Sequence, residues 1–555
     1  VSARDPVRRR DRVLRAIAQW FIPLVFIAGG VAKEPSAPAA RAAAQALYRD
    51  GVLPDGQPLR AQRSGSPPME GRAAACVNCH RRSGLGMIEG QSVVPPITGE
   101  YLFHKVAAQG GAMAMPHPEA QPEARSAYTL ATLARALREG VDPDGRQLSY
   151  LMPRFALDDA AVALLAGYFK QLSRESVPGV GEDSLQFATI VTPDADPVAR
   201  DAMLSVLKEF FGPGNVFLHG ETPPLQHVAR RHGAAPSRWQ LHVWTLEGPA
   251  STWEAQLRER LRHEPVFAVI SGVGHGTWAP VHRFCESESI PCLLPNVDLP
   301  FVAQQDFYPV YYSKGVLLEA GLIVRALQDR PPAARPRRVV QIYRDEDIGA
   351  DAAGELHALA NAASLETVEI PLQANASKAS LLAALKNARA GDAVALWLRA
   401  PDLELLSGAP PEGVAVAISG IMGGLENAPL PQTWRQTTQM TYPYELPDRR
   451  RVLLNYPFGW MRFHHVPVID ERIQVDTYTA CGILTDTIAA MKENFGRDYL
   501  VERLEAATSW RLVAGNYPRL GLGPSQRFAS KGGYLVRFTE GSGSKLTPLT
   551  DWIVP

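Results

Sequence analysis

The stretch "PVFAVISGVGHGTWAPVHRFCESESIPCLLP", Pro265 to Pro295, decides the fold. It begins with a short apolar run, Val266–Ile270, passes through a glycine-bearing loop, opens a helix after Ala279-Pro280 and returns to an apolar run at "PCLLP". Two short β-rich runs joined by a helix read as parallel strands with a crossover. The same alternation continues on both sides. Upstream, "FATIV" precedes a helix opened by Asp196-Pro197, and "LHVWT" precedes a helix after Ser251. Downstream, a helix is expected over Ser313–Gln328, and the Pro-rich "DRPPAARPRR" then interrupts the chain. The pattern restarts with "RVVQIY", a helix through "GADAAGELHALANAA", "TVEI", a helix near Lys378–Ala390, "DAVALWL" and "VAVAIS". This predicts two α/β lobes in succession. Two helical stretches are expected over about Val475–Ala507, and the alternation of Tyr534, Val536 and Phe538 predicts a closing strand.

The chain has 555 residues, enough for three or four units of roughly 150 residues. Lys+Arg and Asp+Glu are both 57, so no global charge argues for nucleic acid or for disorder, and no nucleic-acid partner is expected. Five cysteines are too few for a disulfide framework. Arg8, Arg9, Arg10, Arg12 and Arg15 precede an apolar run from Ala16 to Ala32 that is broken by Gln19 and Pro23 and ends in small residues. Residues 1–32 therefore read as a secretory signal peptide. The alternative is an uncleaved anchor, the one reading that would put the chain on a membrane. Either way the remainder is expected in the periplasm. Residues 38–175 read as a small helix-and-loop unit. One helix stops at Gly51, with Ala40, Ala43, Ala44 and Leu47 on one face. A second spans about Thr129–Glu139. A third is N-capped by Asp158 and carries the stripe Val162, Leu165, Phe169 and Leu172. Residues 176–184 read as a linker, 185–540 as the two-lobed part and 541–555 as a tail.

Inside the small unit stands "AAACVNCHRRSGLG", Ala73–Gly86. A C-x-x-C-H motif has three readings. A zinc site needs four ligands, and no second C-x-x-C is present. A redox dithiol belongs where a strand meets a helix, whereas the flanks here are loop and small residues. Covalent haem attachment needs two thiols and an adjacent histidine in an oxidising compartment, and the motif and the leader supply these. The reading is one covalently bound haem c on Cys76 and Cys79, with His80 as one axial ligand to iron. Met152, in a Met-Pro loop before the helix capped by Asp158, is the expected second ligand, since Met/His ligation suits electron transfer. Met113 and Met115 are its main rivals, with Met87, His104 and His117 also in range.

On "GRAAACVNCHRRSGLG", "YTLATLARALREGVDPDGRQL" and "MPRFALDDAAVALLAGYFKQL", residues 38–175 resemble a class I cytochrome c domain. That resemblance implies an all-α unit, thioether bonds at Cys76 and Cys79, and His80 and Met152 as axial ligands. Pro95 or Pro96 would orient His80 through a carbonyl. Residues 185–540 resemble the type I periplasmic binding proteins, in particular branched-chain-amino-acid-receptor-like solute-binding proteins. The carriers are the stretch extended to "LLPNVD", "PRRVVQIYRDEDIGADAAGELHALA", "DAVALWLRAPDLELL" and "GPSQRFASKGGYLVRF". This implies a small ligand held between two lobes that close by a hinge. The loop Ser271–Trp278 follows a strand and precedes a helix, so its N–H and hydroxyl groups suit an anionic group. Ser271, Thr277 and Trp278 on the first lobe, and Tyr343 and Trp397 at strand ends on the second, are the candidate ligand residues. The competing reading of each aromatic is packing. In an oxidising compartment a disulfide between Cys285 and Cys292 is expected, with Cys481 a buried free thiol. No P-loop, Rossmann fingerprint or nucleophile–base pair is visible. The resulting expectation is a non-enzymatic periplasmic haem protein that transfers single electrons to a periplasmic redox partner, coupled to a ligand-binding module. The alternatives are a solute-binding receptor with an accessory haem and a haem peroxidase-like enzyme.

Overall fold

The computed structural model describes residues 37–90, 92–107, 124–172, 176–212, 238–303, 305–508, 515–539 and 545–555. The expected signal peptide and the rival ligands Met113, Met115 and His117 lie outside these residues. In the first lobe the strand Ser184–Val191 runs between Arg238–Thr245 and Ala268–Ile270, followed outward by Cys292–Leu293 and Pro309–Val310, all parallel. In the second, Arg338–Arg344 runs between Glu366–Leu372 and Ala393–Trp397, followed by Ala415–Ile418 and Gln439–Tyr442, again parallel. Both lobes thus carry the doubly wound strand order 2-1-3-4-5, whose ligand crevices lie beyond the carboxyl ends of the strands. The second sheet is extended by Tyr534–Phe538 and then Leu546–Pro548, each antiparallel to the strand before it. Strands covered on both faces by helices must be apolar on both, and Val339, Val340, Ile342 and all of Ala393–Trp397 are buried.

Among the described residues the chain passes between the lobes three times. After the first sheet, the helix Val316–Gln328 packs against Ile348–Ala362 and Val339 of the second lobe. After the second sheet, the helix Glu471–Met491 returns to Pro197–Phe210 of the first, where Gln474 Nε2 donates to Ser205 Oγ at 3.2 Å. Phe528 then pairs with Tyr311 before the chain rejoins the second sheet at Tyr534. The starts of these helices follow local chemistry. Asp196 accepts from Ala199 N at 2.9 Å with Pro197 at the first helical position, and Asp470 accepts from Ile473 N at 3.0 Å.

The small unit joins Ala37–Asp50 to Asp159–Gln171, with the rings of Tyr48 and Tyr168 5.3 Å apart. Asp158 caps the second of these through Ala161 N at 2.7 Å, and Val162, Leu165, Phe169 and Leu172 are buried as their spacing predicts. The expectation of an all-α unit is corrected: Arg60–Gln62 pairs with Met69–Glu70 and Arg154–Phe155, and Met87–Glu89 with Ser92–Val94. These two- and three-residue pairings close loops and are too short to show alternation in sequence. The helix expected near Lys378–Ala390 ends at Leu385, and Pro447–Leu453 and Asn455–Phe463 add helices that the alternation did not reveal.

Candidate functional site

Where the two lobes meet, the end of the strand Asn296–Val297 faces the first crossing, Tyr311–Gly315, and the start of the helix Glu471–Met491. The crevice there is lined from both lobes and from the crossings. Tyr517 stacks on Tyr312 at 5.1 Å and lies 5.2 Å from Tyr444, making an aromatic wall. Tyr312 donates its hydroxyl to Asp476 O at 2.5 Å. Arg472 supplies a cation 3.9 Å from Asp298 and donates to the Tyr444 hydroxyl at 3.4 Å. Burial pushes the Asp476 carboxyl up to about 7, against the pull of Arg472 and of Asn516, which donates to it at 2.9 Å. Burial works against the charge of Arg472, but Tyr444, Asp298 and Asp476 hold its pKa above the ordinary value. Asn296 donates to Ser271 Oγ at 3.0 Å and to Thr477 Oγ1 at 3.3 Å, while its buried Oδ1 has no donor among the described residues. One cation, the Asp476 carboxyl, an acceptor without a partner and a tyrosine wall converge here around a free volume of about 10 Å³, room for a water-sized group in this arrangement of the lobes.

None of the five residues named from sequence lines this crevice. Ser271 comes nearest: it is buried, sits at φ 55° and holds Asn296. It occupies the bend between Ala268–Ile270 and Val273–Gly274, where Gly272 takes φ 120°. Thr277 is exposed and its Oγ1 accepts from Ala279 N at 3.2 Å. Trp278 is 2% exposed and packs in the core with Ile190 and Val281. Tyr343 donates to Glu369 at 3.2 Å. Trp397 is 1% exposed and donates Nε1 to Gln341 at 2.9 Å. The sequence reading missed Asn296, Tyr444, Arg472, Asp476 and Tyr517. Asn296 was within reach, one residue past "LLP" at a strand end. The others come from segments that no local pattern connects.

The motif of the small unit occupies a single turn, Val77–His80, N-capped by Cys76. Cys76 is buried, which pushes its thiol up to about 12, whereas Cys79 is exposed. The His80 ring is pinned by Nδ1 to Pro95 O at 3.0 Å, which leaves Nε2 as the nitrogen available to a partner. Desolvation lowers its pKa to about 4. Cys76 belongs to the apolar cluster against which Met152 packs. His104 is exposed, with Nδ1 3.0 Å from Glu100 O. The turn is also a docking point. Arg81 pairs with Glu505, Ser83 donates N–H to Glu502 at 3.0 Å and Oγ at 2.5 Å, and Arg82 lies 4.0 Å over the Phe307 ring. In the first lobe Cys285 and Cys292 form the expected disulfide, with Cα atoms 6.2 Å apart. Cys481 is buried and free.

No family model matches the sequence, and no curated protein matches it. Solved structures do. A fatty acid ABC transporter substrate-binding protein from Thermomonospora curvata is 13% identical over 69% of this chain and 95% of that one, with a TM-score of 0.46. A possible leucine/isoleucine/valine-binding protein from Rhodopirellula baltica SH 1 is 14% identical over 67% and 98%, with a TM-score of 0.47. A branched chain amino acid ABC transporter from Thermus thermophilus with bound valine is 10% identical over 68% and 98%, with a TM-score of 0.48. The chain has a two-lobed, periplasmic-binding-protein-like α/β fold. That statement rests on its two sheet orders and its three crossings. The expectation that haem, iron, a cytochrome c and electron transfer to a redox partner describe the chain is corrected. Among the described residues no group of three or more His, Cys, Asp or Glu could hold a metal ion. Among the described residues no helix is long and apolar enough to cross a membrane.

Proposed function

We propose that the protein is a non-enzymatic solute-binding receptor of a transport or sensing system, working outside the inner membrane. The observation that carries this reading is the crevice at the crossings, where Asn296 of the first lobe, Tyr444 of the second and Arg472 of a crossing helix converge. A solute that touches both lobes binds the closed arrangement better than the open one and so draws the hinge shut. Thermal-shift titration of the full chain with a panel of amino acids, carboxylates and amines tests it. A cognate solute at a hundred times its dissociation constant stabilises by about 2.7 kcal/mol. Tyr444→Ala, which removes one wall of the crevice, is expected to abolish that response. A panel that leaves the melting temperature unmoved, together with native mass spectrometry showing no co-purified small molecule, would count against the reading.

A second reading concerns Cys76 and Cys79 alone. We propose that the two thiols carry one covalently attached group and that His80 faces it. The support is local: both cysteines and the histidine share one turn, and the Pro95 carbonyl fixes the ring. Intact mass of the exported chain decides it. The expected result is an added mass that disappears in the Cys76→Ser, Cys79→Ser double variant. Two free thiols in the native chain would end the proposal.

A further inference from the structure

The helices Pro447–Leu453 and Asn455–Phe463 run almost end to end and carry two opposed faces. Arg450, Leu454, Pro457 and Met461, spaced i, i+4, i+7 and i+11, are buried in the protein. Val452, Tyr456 and Phe463 share the other face at i, i+4 and i+11. They are 71%, 73% and 73% exposed, and the following loop adds Val468 at 52% and Ile469 at 47%. One face is thus accounted for by the core, whereas the other is an apolar ridge about 16 Å long at 1.5 Å per residue. Large apolar side chains left in water along one helix face mark an interaction surface.

Charge says what fits it. Arg449, Arg451 and Arg462 stand exposed along the ridge, with Arg449 reaching the Tyr534 hydroxyl at 3.5 Å, and His465 is exposed beside them. Between residues 448 and 471 the exposed acids are Asp448 and Glu471, the latter paired with the buried Arg450 at 3.3 Å. A second copy docked face to face would bring two sets of three like-charged arginines into one interface. Aromatic and aliphatic side chains flanked by arginines are the pattern that enters the headgroup region of a bilayer. We infer that this ridge seats the protein on an anionic lipid surface, with Val452, Tyr456 and Phe463 inserted and Arg451 and Arg462 on lipid phosphates.

The test is co-sedimentation of the full chain with vesicles of phosphatidylcholine alone and of phosphatidylcholine mixed with phosphatidylglycerol. With three arginines near the surface, the mixed vesicles are expected to bind roughly a hundredfold more tightly at low salt. Added salt should erode that preference. Arg451→Gln with Arg462→Gln should cut binding to mixed vesicles by about tenfold or more. Tyr456→Ser with Phe463→Ser should abolish it while the melting temperature holds, because both side chains are outside the core. Equal binding to both vesicles, binding to neither, or binding that ignores the Tyr456–Phe463 pair would overturn the inference. So would a monomer–dimer equilibrium abolished by the same pair, which assigns the ridge to a second copy. Protection of the ridge by a soluble acidic polypeptide without vesicle binding would assign it to a protein partner and likewise overturn it.

Discussion

At the scale of the residue, Arg472 and Asp476 show how burial and pairing compete. Both sit one helical turn apart at the start of Glu471–Met491, where Asp476 is almost fully buried. A carboxyl held at about 7 keeps its proton in the folded state at a pH where the unfolded chain, near the ordinary ~3.9, has released it. Its contribution to stability is therefore full below the ordinary value and is lost as the pH climbs through about 7. Arg472 limits that loss. Arg472→Met is expected to lower the melting temperature more at pH 8 than at pH 5, because the buried Asp476 carboxylate then stands without its cation; calorimetry at the two pH values checks it. The disulfide belongs to the same scale. Two cysteines seven positions apart, one on a helix and one on a strand, were readable as a pair because an oxidising compartment was expected.

At the scale of the element, the helix Val316–Gln328 does more than cross between lobes. Its Glu319 is fully buried and accepts from Gly420 N at 2.9 Å, Ile421 N at 3.0 Å and Thr441 Oγ1 at 2.7 Å, with Ser419 Oγ also donating. It clamps the turn after the strand Ala415–Ile418. Burial still dominates and holds its carboxyl at about 7. Glu319→Ala is expected to cost about 3 kcal/mol, since it leaves several buried donors without an acceptor. Glu319→Gln should recover much of this and flatten part of the fall in stability between pH 5 and 8; denaturant titration of the three proteins compares them. Helices and strands were legible wherever one period ran long enough. The Asp158 stripe and the run of Ala393–Trp397 are examples. Pro447–Phe463 escaped because it is apolar on two opposite faces, which blurs the single stripe by which a surface helix is read.

At the scale of the whole molecule, the small unit and the first lobe share a buried ionic network. Arg81, next to His80, pairs with Glu505, which also pairs with Arg527. The backbone carbonyl of Arg527 accepts from Tyr311 N at 2.8 Å, on the crossing between lobes. Glu505→Gln leaves two arginines facing one another and is expected to destabilise by about 3 kcal/mol. It should also raise hydrogen exchange both at residues 81–85 and at 527–530. A rise at only one of the two segments would show that docking and crossing are independent.

By itself the sequence determined the two α/β lobes, most helix starts and the close spacing of Cys76, Cys79 and His80. Each of these is written in neighbouring residues: a period, a cap, a spacing. Only the tertiary structure decided the crevice, the docking of Arg81 on Glu505 and the ridge of Val452, Tyr456 and Phe463. Asn296, Tyr444, Arg472 and Tyr517 stand far apart along the chain, and they meet because it crosses between the lobes. The exposure of the ridge depends on what the rest of the chain leaves uncovered. Local chemistry sets how a segment folds, whereas which segments meet depends on closing three crossings at once, and no run of neighbouring residues records that.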